Sequence, residues 1–348
     1  MARKRKRIAH KPPLEHGSPD TASSSVQGGT PPPAAEGQVE TPQAHRAPEP
    51  KPITDRDLGT SIFTAFGPEG TDDQKAEAKA NVRRYLAQLI QKHPVGMKYN
   101  IVFLYDELQM VQSDADNIYS AVTKFEESKP LLLILHSPGG YIGPAYLIGK
   151  LLREYSDGNL DIVVPRRAKS GATLICCAAD HIHMGSLSEL GPIDPQIEGM
   201  PALGLKSSIQ HIAELVRENP HATELFAKYM SQSIRPIDLG YYERVAESAV
   251  QYAERLLRPH ASELEQAPEK IAQALVYSYK DHGFVIDRQE AQGIFGGKVV
   301  KYNTEEYNLG NAVYQGLVFV TWVAGLVDQR FYMIGCLTSD PGFLKKTK

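Results

Sequence analysis

The sequence predicts an α/β fold built on a parallel sheet, and three observations carry that prediction. The run PLLLILHS (130–137) is a continuous apolar run ending at a turn, as a strand covered on both faces is, and LDIVVP (160–165) reads as a further strand. Segments of helical spacing lie between such runs, so that strand and helix alternate from about residue 99 to 185, the pattern of parallel crossover units. Turn residues, above all the SPGG of 137–140, stand at the strand ends.

Globular patterning starts near Ile62. The stretch 71–93, with acidic residues at its start and basic ones near its end, reads as a helix. YNIVFLYD (99–106) reads as a buried strand and 113–128 as an amphipathic helix. The strand at 130–137 is followed by a helix over 143–155, the strand at 160–165 by a short apolar helix over 170–180, and HIHMG (181–185) by its composition is another strand. From about 209 to 275 the pattern turns helical, rich in Glu, Arg, Ala and Leu. Residues 282–300 then read as strand or loop, helix, Gly turn and strand.

The 348 residues fit one large domain or two small ones, and 42% hydrophobic with 23% charged residues is ordinary globular composition. A net charge of −3 exerts no general pull toward nucleic acid or membrane, so no nucleic-acid partner is expected for the globular part. Cys176, Cys177 and Cys336 make no disulfide framework and fit a reducing, cytoplasmic setting. The start MARKRKRIAHKPP has no apolar core behind its basic run and is not a secretory signal. GLVFVTWVAGLV (316–327) falls short of the about 20 residues a membrane span needs and reads as a buried helix or strand, so no transmembrane segment is expected. Residues 1–55 hold ten of the 24 prolines and almost no large apolar side chain, which predicts a disordered tail. Its cluster Arg3–Arg7 reads as a solvated charge run that also has the chemistry to touch phosphates or acidic surfaces. The expected organisation is thus a tail to residue 55, a catalytic-type domain over 56–335 with a helical insertion at about 210–275, and a C-terminal tail over 336–348.

Two strand-to-helix junctions carry chemistry. In HSPGGYIG (136–143), Pro138 fixes one backbone angle while Gly139 and Gly140 permit conformations closed to other residues, which exposes backbone N–H groups at the sheet edge. In AKSGAT (168–173), Ser170 enters a helix start with its free N–H donors and positive dipole end. Together they have the makings of a serine nucleophile beside an oxyanion hole. Each half also has a plainer reading, a simple turn and an N-cap serine.

The pieces LLLILHSPGG, VVPRRAKSGATLICCAADHIHMG, LGPIDPQI (190–197) and HGFVIDRQEA (282–291) resemble the serine dehydrogenase proteinase family, within the Clp protease, signal peptide peptidase A and crotonase-like group. The resemblance covers about 100–300, with 210–270 poorly matched. It implies a ClpP/crotonase-like ββα superhelix, homo-oligomeric assembly, a peptide or protein substrate, and Ser170 as nucleophile with Gly140 and Gly171 as oxyanion donors. The Clp protease uses histidine and then aspartate in chain order. Here Asp194 stands at the matching histidine position and His282 at the matching aspartate position, so the resemblance implies a Ser170, His282, Asp194 set with exchanged roles. A triad is defined by geometry rather than order. Lys206, in PALGLKSSIQ, stays open as the base of a Ser–Lys dyad, which needs its pKa lowered by burial; Lys169, adjacent to Ser170, usually points elsewhere.

His181 and His183 alternate like residues on one strand face, but no third ligand is evident and no metal is expected. Cys176 and Cys177 read as small core residues. Asp106 and Glu107 read as strand-end caps, with lining a cleft as the other possibility. No nucleotide-binding sequence is visible and no cofactor is called for. Besides a serine peptidase, a crotonase-type acyl-CoA enzyme and a catalytically inactive scaffold of the same fold stay open. The first is disfavoured by a Ser-Gly where carboxylate chemistry needs none.

Overall fold

The computed structural model describes residues 51–346 apart from 198–199 and 234–235, with backbone alone at 197, 200–203, 205–206, 233, 236–239 and 242. Residues 1–50, nearly all of the expected tail, lie outside the described residues. The last part of that expected tail is already folded. Ile53 is buried, its N–H donates to Gln88 Oε1 (3.2 Å), and Thr54 forms a capping box with Asp57. The first helix starts there, before the expected onset at Ile62.

Helices α1 (Asp55–Phe66) and α2 (Asp72–Gln91), the latter opened by a Thr71–Gln74 capping box, lead into strand β1 (Asn100–Tyr105). Then come α3 (Gln112–Val122), β2 (Leu131–His136), α4 (Ile142–Tyr155), β3 (Leu160–Val164), β4 (Arg167–Ala168), α5 (Gly171–Cys176), β5 (His181–Met184), β6 (Glu189–Leu190), β7 (Gln196–Ile197) and β8 (Met200–Pro201). α3 stops short of the expected residue 128: Thr123 Oγ1 donates back to the Tyr119 carbonyl (2.9 Å), and Pro130 biases the residue before it away from helix. The helical stretch α6 (Ala202–Glu218), α7 (Thr223–Ser233), α8 (Pro236–Leu257) and α9 (Pro268–Tyr277) begins somewhat earlier than the expected 210. β9 (Ile286–Asp287), α10 (Arg288–Phe295), β10 (Val300–Lys301), α11 (Glu305–Leu326), β11 (Gln329–Gly335) and β12 (Gly342–Lys345) complete the described chain. The segment expected as a C-terminal tail therefore contains a strand, β12, paired antiparallel with β11.

The main sheet has the order β10-β5-β3-β2-β1-β11-β12. It is parallel from β10 to β1 and antiparallel at β11 and β12. Successive side chains in each strand face opposite sides, and both sides are apolar. Val102, Leu104, Leu131, Leu133, Leu135 and Ile162 face the layer of α3, α4, α5, α8 and α9. Phe103, Tyr105, Leu132, Ile134 and Val163 face the layer of α1, α2 and α11. This double cover is why the strands read as unbroken apolar runs.

α11 extends well upstream of the apolar run seen in the sequence. At 22 residues it is, by length and composition, long and apolar enough to cross a membrane. In the structure Leu309, Val313, Leu317 and Val320 are buried under the sheet and α2. Its Gly310 passes so close to β3 that a Cβ there would lie 2.4 Å from Val163 Cγ1. Replacing a mid-helix glycine by alanine ordinarily gains about 1 kcal/mol of helix propensity. Overpacking against a stiff β-branched side chain costs about 1–3 kcal/mol. Gly310→Ala is therefore expected to lower stability, by up to about 2 kcal/mol, read as a lower urea midpoint at unchanged slope.

Candidate active site

Ser170 sits at the entry to α5 with φ 49° and ψ −117°. Asn303 and Asp328 are the other non-glycine residues at positive φ among the described residues. Those residue types tolerate it; a serine at this ψ lies outside the ordinary allowed regions and costs on the order of 1–3 kcal/mol. Its side chain makes no capping hydrogen bond, so the plain N-cap reading does not describe it.

The backbone around Ser170 is fixed from several sides. The Ser137 N–H donates to the Arg167 carbonyl and the Lys169 N–H to the Ser137 carbonyl, each at 3.1 Å. This ties the SPGG turn to β4. Ala172 N–H donates to the Lys169 carbonyl (2.8 Å) and Leu174 N–H to the Ser170 carbonyl (3.1 Å). Thr173 Oγ1 donates to the Ala168 carbonyl (2.6 Å) and accepts from Gly191 N–H (3.0 Å). Gly139 (φ 94°) lies against the serine itself. A Cβ at 139 would stand 2.8 Å from Ser170 Cβ and 3.0 Å from Gly171 N. The turn is held open from the other side by Met110, whose N–H donates to the Gly139 carbonyl (2.7 Å) and whose carbonyl accepts from Tyr141 N–H (3.0 Å). Gly171 packs on Gly140, with 3.4 Å between a Cβ at 171 and Gly140 N. Gly139, Gly140, Ser170 and Gly171 thus form one compact group, joined from two junctions as the sequence predicted. The role of Met110 left no signal in the sequence.

A second, three-stranded sheet of order β4-β6-β9 stands beside this group. β4 pairs parallel with β6, and β6 antiparallel with β9. Each strand leads to or from one expected site residue: β4 to Ser170, β6 to Asp194, and β9 back to His282. His282 Nδ1 lies 2.7 Å from Asp194 Oδ1. A carboxylate only accepts, so Nδ1–H donates, and the neutral ring keeps its lone pair on Nε2. Asp194 is buried and also accepts from Gln196 Nε2 (2.9 Å). The hydrogen bond to Asp194 holds the His282 pKa above the ordinary value of 6.5 against the opposing effect of burial, with Asp281 adding to it. Among the described residues no hydrogen bond joins Ser170 Oγ to His282.

Lys206 lies on α6, and its side chain is outside the described residues. Lys169 turns away from Ser170 Oγ toward the neighbouring strands: its ammonium reaches the carbonyls of Leu190 and Phe284. His181 Nδ1 bonds Asp161 Oδ1 (2.8 Å), which Tyr99 and Asn159 also engage, and His183 Nδ1 bonds Thr304 Oγ1 (2.8 Å). Among the described residues no group of three or more His, Cys, Asp or Glu is arranged to hold a metal ion. Cys176 and Cys177 are wholly buried, and burial pushes both thiols far up. Asp106 accepts from Leu108 N–H and pairs with Arg330, and Glu107 pairs with His136 and Arg167.

In an NMR titration the His282 ring is expected to change protonation above pH 6.5, and Asp194→Asn to bring that midpoint down. The folded pKa is raised, so the stability this pair contributes is present below the unfolded-state value and is lost as pH rises through the folded one. The stability gap between wild type and Asp194→Asn is expected to narrow over that interval, read by urea unfolding at successive pH values.

Residues 92–224 match the family model described as ClpP-like SDH-type serine proteinase. Ser170, Asp194, Lys206 and the glycines at 139, 140 and 171 fall inside the matched residues, and His282 falls outside. Two uncharacterized proteins of Methanocaldococcus jannaschii are similar. One is 37% identical over 97 residues, covering 28% of this chain and 34% of the relative. The other is 30% identical over 130 residues, covering 37% and 43%. The chain thus spans less than half the length of the curated relatives it matches. Among solved structures, a mutant of the 1510-N membrane-bound stomatin-specific protease aligns at TM-score 0.37 and 14% identity over 59% of this chain and 80% of that one. Another mutant of that protease, in complex with a substrate peptide, aligns at 0.37 and 15% over 71% and 88%. A ClpP1 mutant from Listeria monocytogenes aligns at 0.36 and 15% over 64% and 98%. The α/β architecture built on a parallel sheet is the one the sequence predicted, and over residues 92–224 the chain is similar to the ClpP-like SDH-type serine proteinase family.

Proposed function

We propose that this protein is a serine peptidase that works through an acyl-enzyme on Ser170. The observation that carries the reading is the strained Ser170 backbone packed against the Gly139–Gly140 turn. A chain holds a serine in that conformation only where surrounding structure over-determines it, and such sites are where function gathers. The same sharp strand-to-helix turn presents the nucleophile in other serine hydrolases.

In this reading Ser170 Oγ attacks the scissile carbonyl of a peptide while His282 Nε2 takes its proton. Asp194 keeps the ring in the Nδ1–H tautomer and stabilises the imidazolium. The N–H groups of Gly140 and Gly171, held by the Gly139 turn, receive the developing oxyanion. The imidazolium then protonates the leaving amine, and water, deprotonated by the same ring, releases the acid and restores Ser170. The Asp194–His282 bond favours His282 over Lys206 as the base, because a histidine base needs such an orienting partner. A Ser170–His282 hydrogen bond absent before substrate binds is compatible with the role, since such bonds often form only in the complex. The reading extends to a homo-oligomer acting in the cytoplasm, with no cofactor of its own.

Ser170→Ala is expected to lower peptide hydrolysis on the order of 10³-fold or more and to abolish labelling by a fluorophosphonate probe, with the fold intact by circular dichroism. An unlabelled wild-type protein of intact fold would favour the inactive scaffold or the acyl-CoA enzyme. Activity is expected to rise with pH through the raised His282 value, because only the neutral ring accepts the serine proton. His282→Ala is expected to be inactive and Lys206→Ala active; the opposite pair of results replaces the triad with a Ser–Lys dyad.

A further inference from the structure

The geometry points to Lys169 as a positioning residue: its ammonium clamps together the three chain segments that carry Ser170, Asp194 and His282. The inference rests on the proposed serine mechanism. A lysine ammonium has three donors; here two meet carbonyl oxygens, and the charge forms an ion pair with Glu189. Nζ lies 3.1 Å from the Leu190 carbonyl oxygen, 3.1 Å from the Phe284 carbonyl oxygen and 3.1 Å from Glu189 Oε2. Leu190 stands at the end of β6 just before Asp194, Phe284 follows His282 closely, and Lys169 itself precedes Ser170. The side chain is 15% exposed, so water competes little for these contacts, and a charged donor makes them stronger than neutral ones. β4, β6 and β9 are each two residues long, too short to fix their own alignment by ladder bonds alone. The path of the side chain is itself provided for: a Cβ at Gly191 would lie 2.6 Å from Lys169 Cδ. Such a role differs from that of a general base, which must be free to accept a proton; this ammonium donates to two carbonyl oxygens and is paired with the Glu189 carboxylate.

The test uses the full-length protein with Lys169→Met, which keeps the length of the side chain and removes its donors. Two quantities are read: the rate of fluorophosphonate labelling against pH, and the His282 titration by NMR. The groups acting on His282 are Asp194 and Asp281. Loss of the clamp is expected to loosen the Asp194–His282 contact. Labelling should slow about 10-fold or more, and the His282 midpoint should fall toward about 6.5. A side chain with a merely structural role would lower stability and leave that midpoint in place, which would overturn the inference. So would a Lys169→Met protein with no labelling beside an active His282→Ala, since Lys169 would then be the base. If Lys169→Met does not fold, Gly191→Ala decides: it leaves the ammonium present but displaces its stem, and an unmoved His282 midpoint there refutes the clamp. Ser170→Ala run in parallel separates the two levels. If that variant is still labelled at the wild-type rate, the serine mechanism fails, while the His282 midpoint in Lys169→Met still reports on the clamp alone.

Discussion

The local structure depends on one unfavourable backbone conformation, that of Ser170. On its own a serine at φ 49° and ψ −117° relaxes. It persists because both its neighbours are fixed. Ala168 is bridged to Ser137 before it, and the first turn of α5 follows with the Lys169 and Ser170 carbonyls already accepting. The Gly139 turn closes the remaining side, at a distance that admits no Cβ. A strain on the order of 1–3 kcal/mol is small beside the burial of the main sheet, whose central strands are covered on both faces. The large sheet therefore makes the small distortion sustainable.

The two sheets divide the work. In the seven-stranded sheet the strands β1, β2, β3, β5 and β11 are longer and largely buried, and each is aligned by ladder bonds and packing together. The β4-β6-β9 sheet has two-residue strands; it stabilises little and aligns much. Ala168, Leu190 and Ile286 anchor it by burial, and polar contacts at its edge set its spacing. That is a fitting arrangement for segments far apart in sequence, because small shifts in a short sheet move Asp194 and His282 relative to Ser170 without disturbing the core.

What the sequence made legible follows from the range of the physics involved. The central strands were readable because double burial leaves a continuous apolar run at 131–135 and one broken only by Asp161 at 160–164. The glycines and the serine were readable because backbone demands act on one or two residues at a time. The two-residue strands were not, since a pair of residues has no period. β12 was lost for a similar reason, being four residues after a Pro-Gly. α11 was read too short because Asn308, Asn311 and Gln315, on the face away from its buried side, break the continuous apolar run in the sequence. The Asp194–His282 contact spans 88 positions, and no local pattern reveals it; only the resemblance placed the two in one set. Lys169 was set aside because adjacent side chains in an extended segment point apart, and that is where it does point. What could not be read was that the segments it reaches are the ones carrying the other two residues.

In the proposed mechanism the Asp194–His282 pair also carries an internal conflict. A buried carboxylate beside the ring favours the imidazolium, which makes His282 a stronger base and at the same time leaves fewer rings neutral at a given pH. The first effect helps proton abstraction and the second subtracts from the population able to perform it, so the useful pKa is one near the working pH. Burial of the ring limits the rise, working against the imidazolium in opposition to the hydrogen bond. Removing Asp194 would therefore lower the base strength and free the ring to turn, and the second loss is the larger, since an imidazole with Nδ1 unbound no longer holds Nε2 in a single direction. In the proposed mechanism the carboxylate thus acts through orientation first and through charge second.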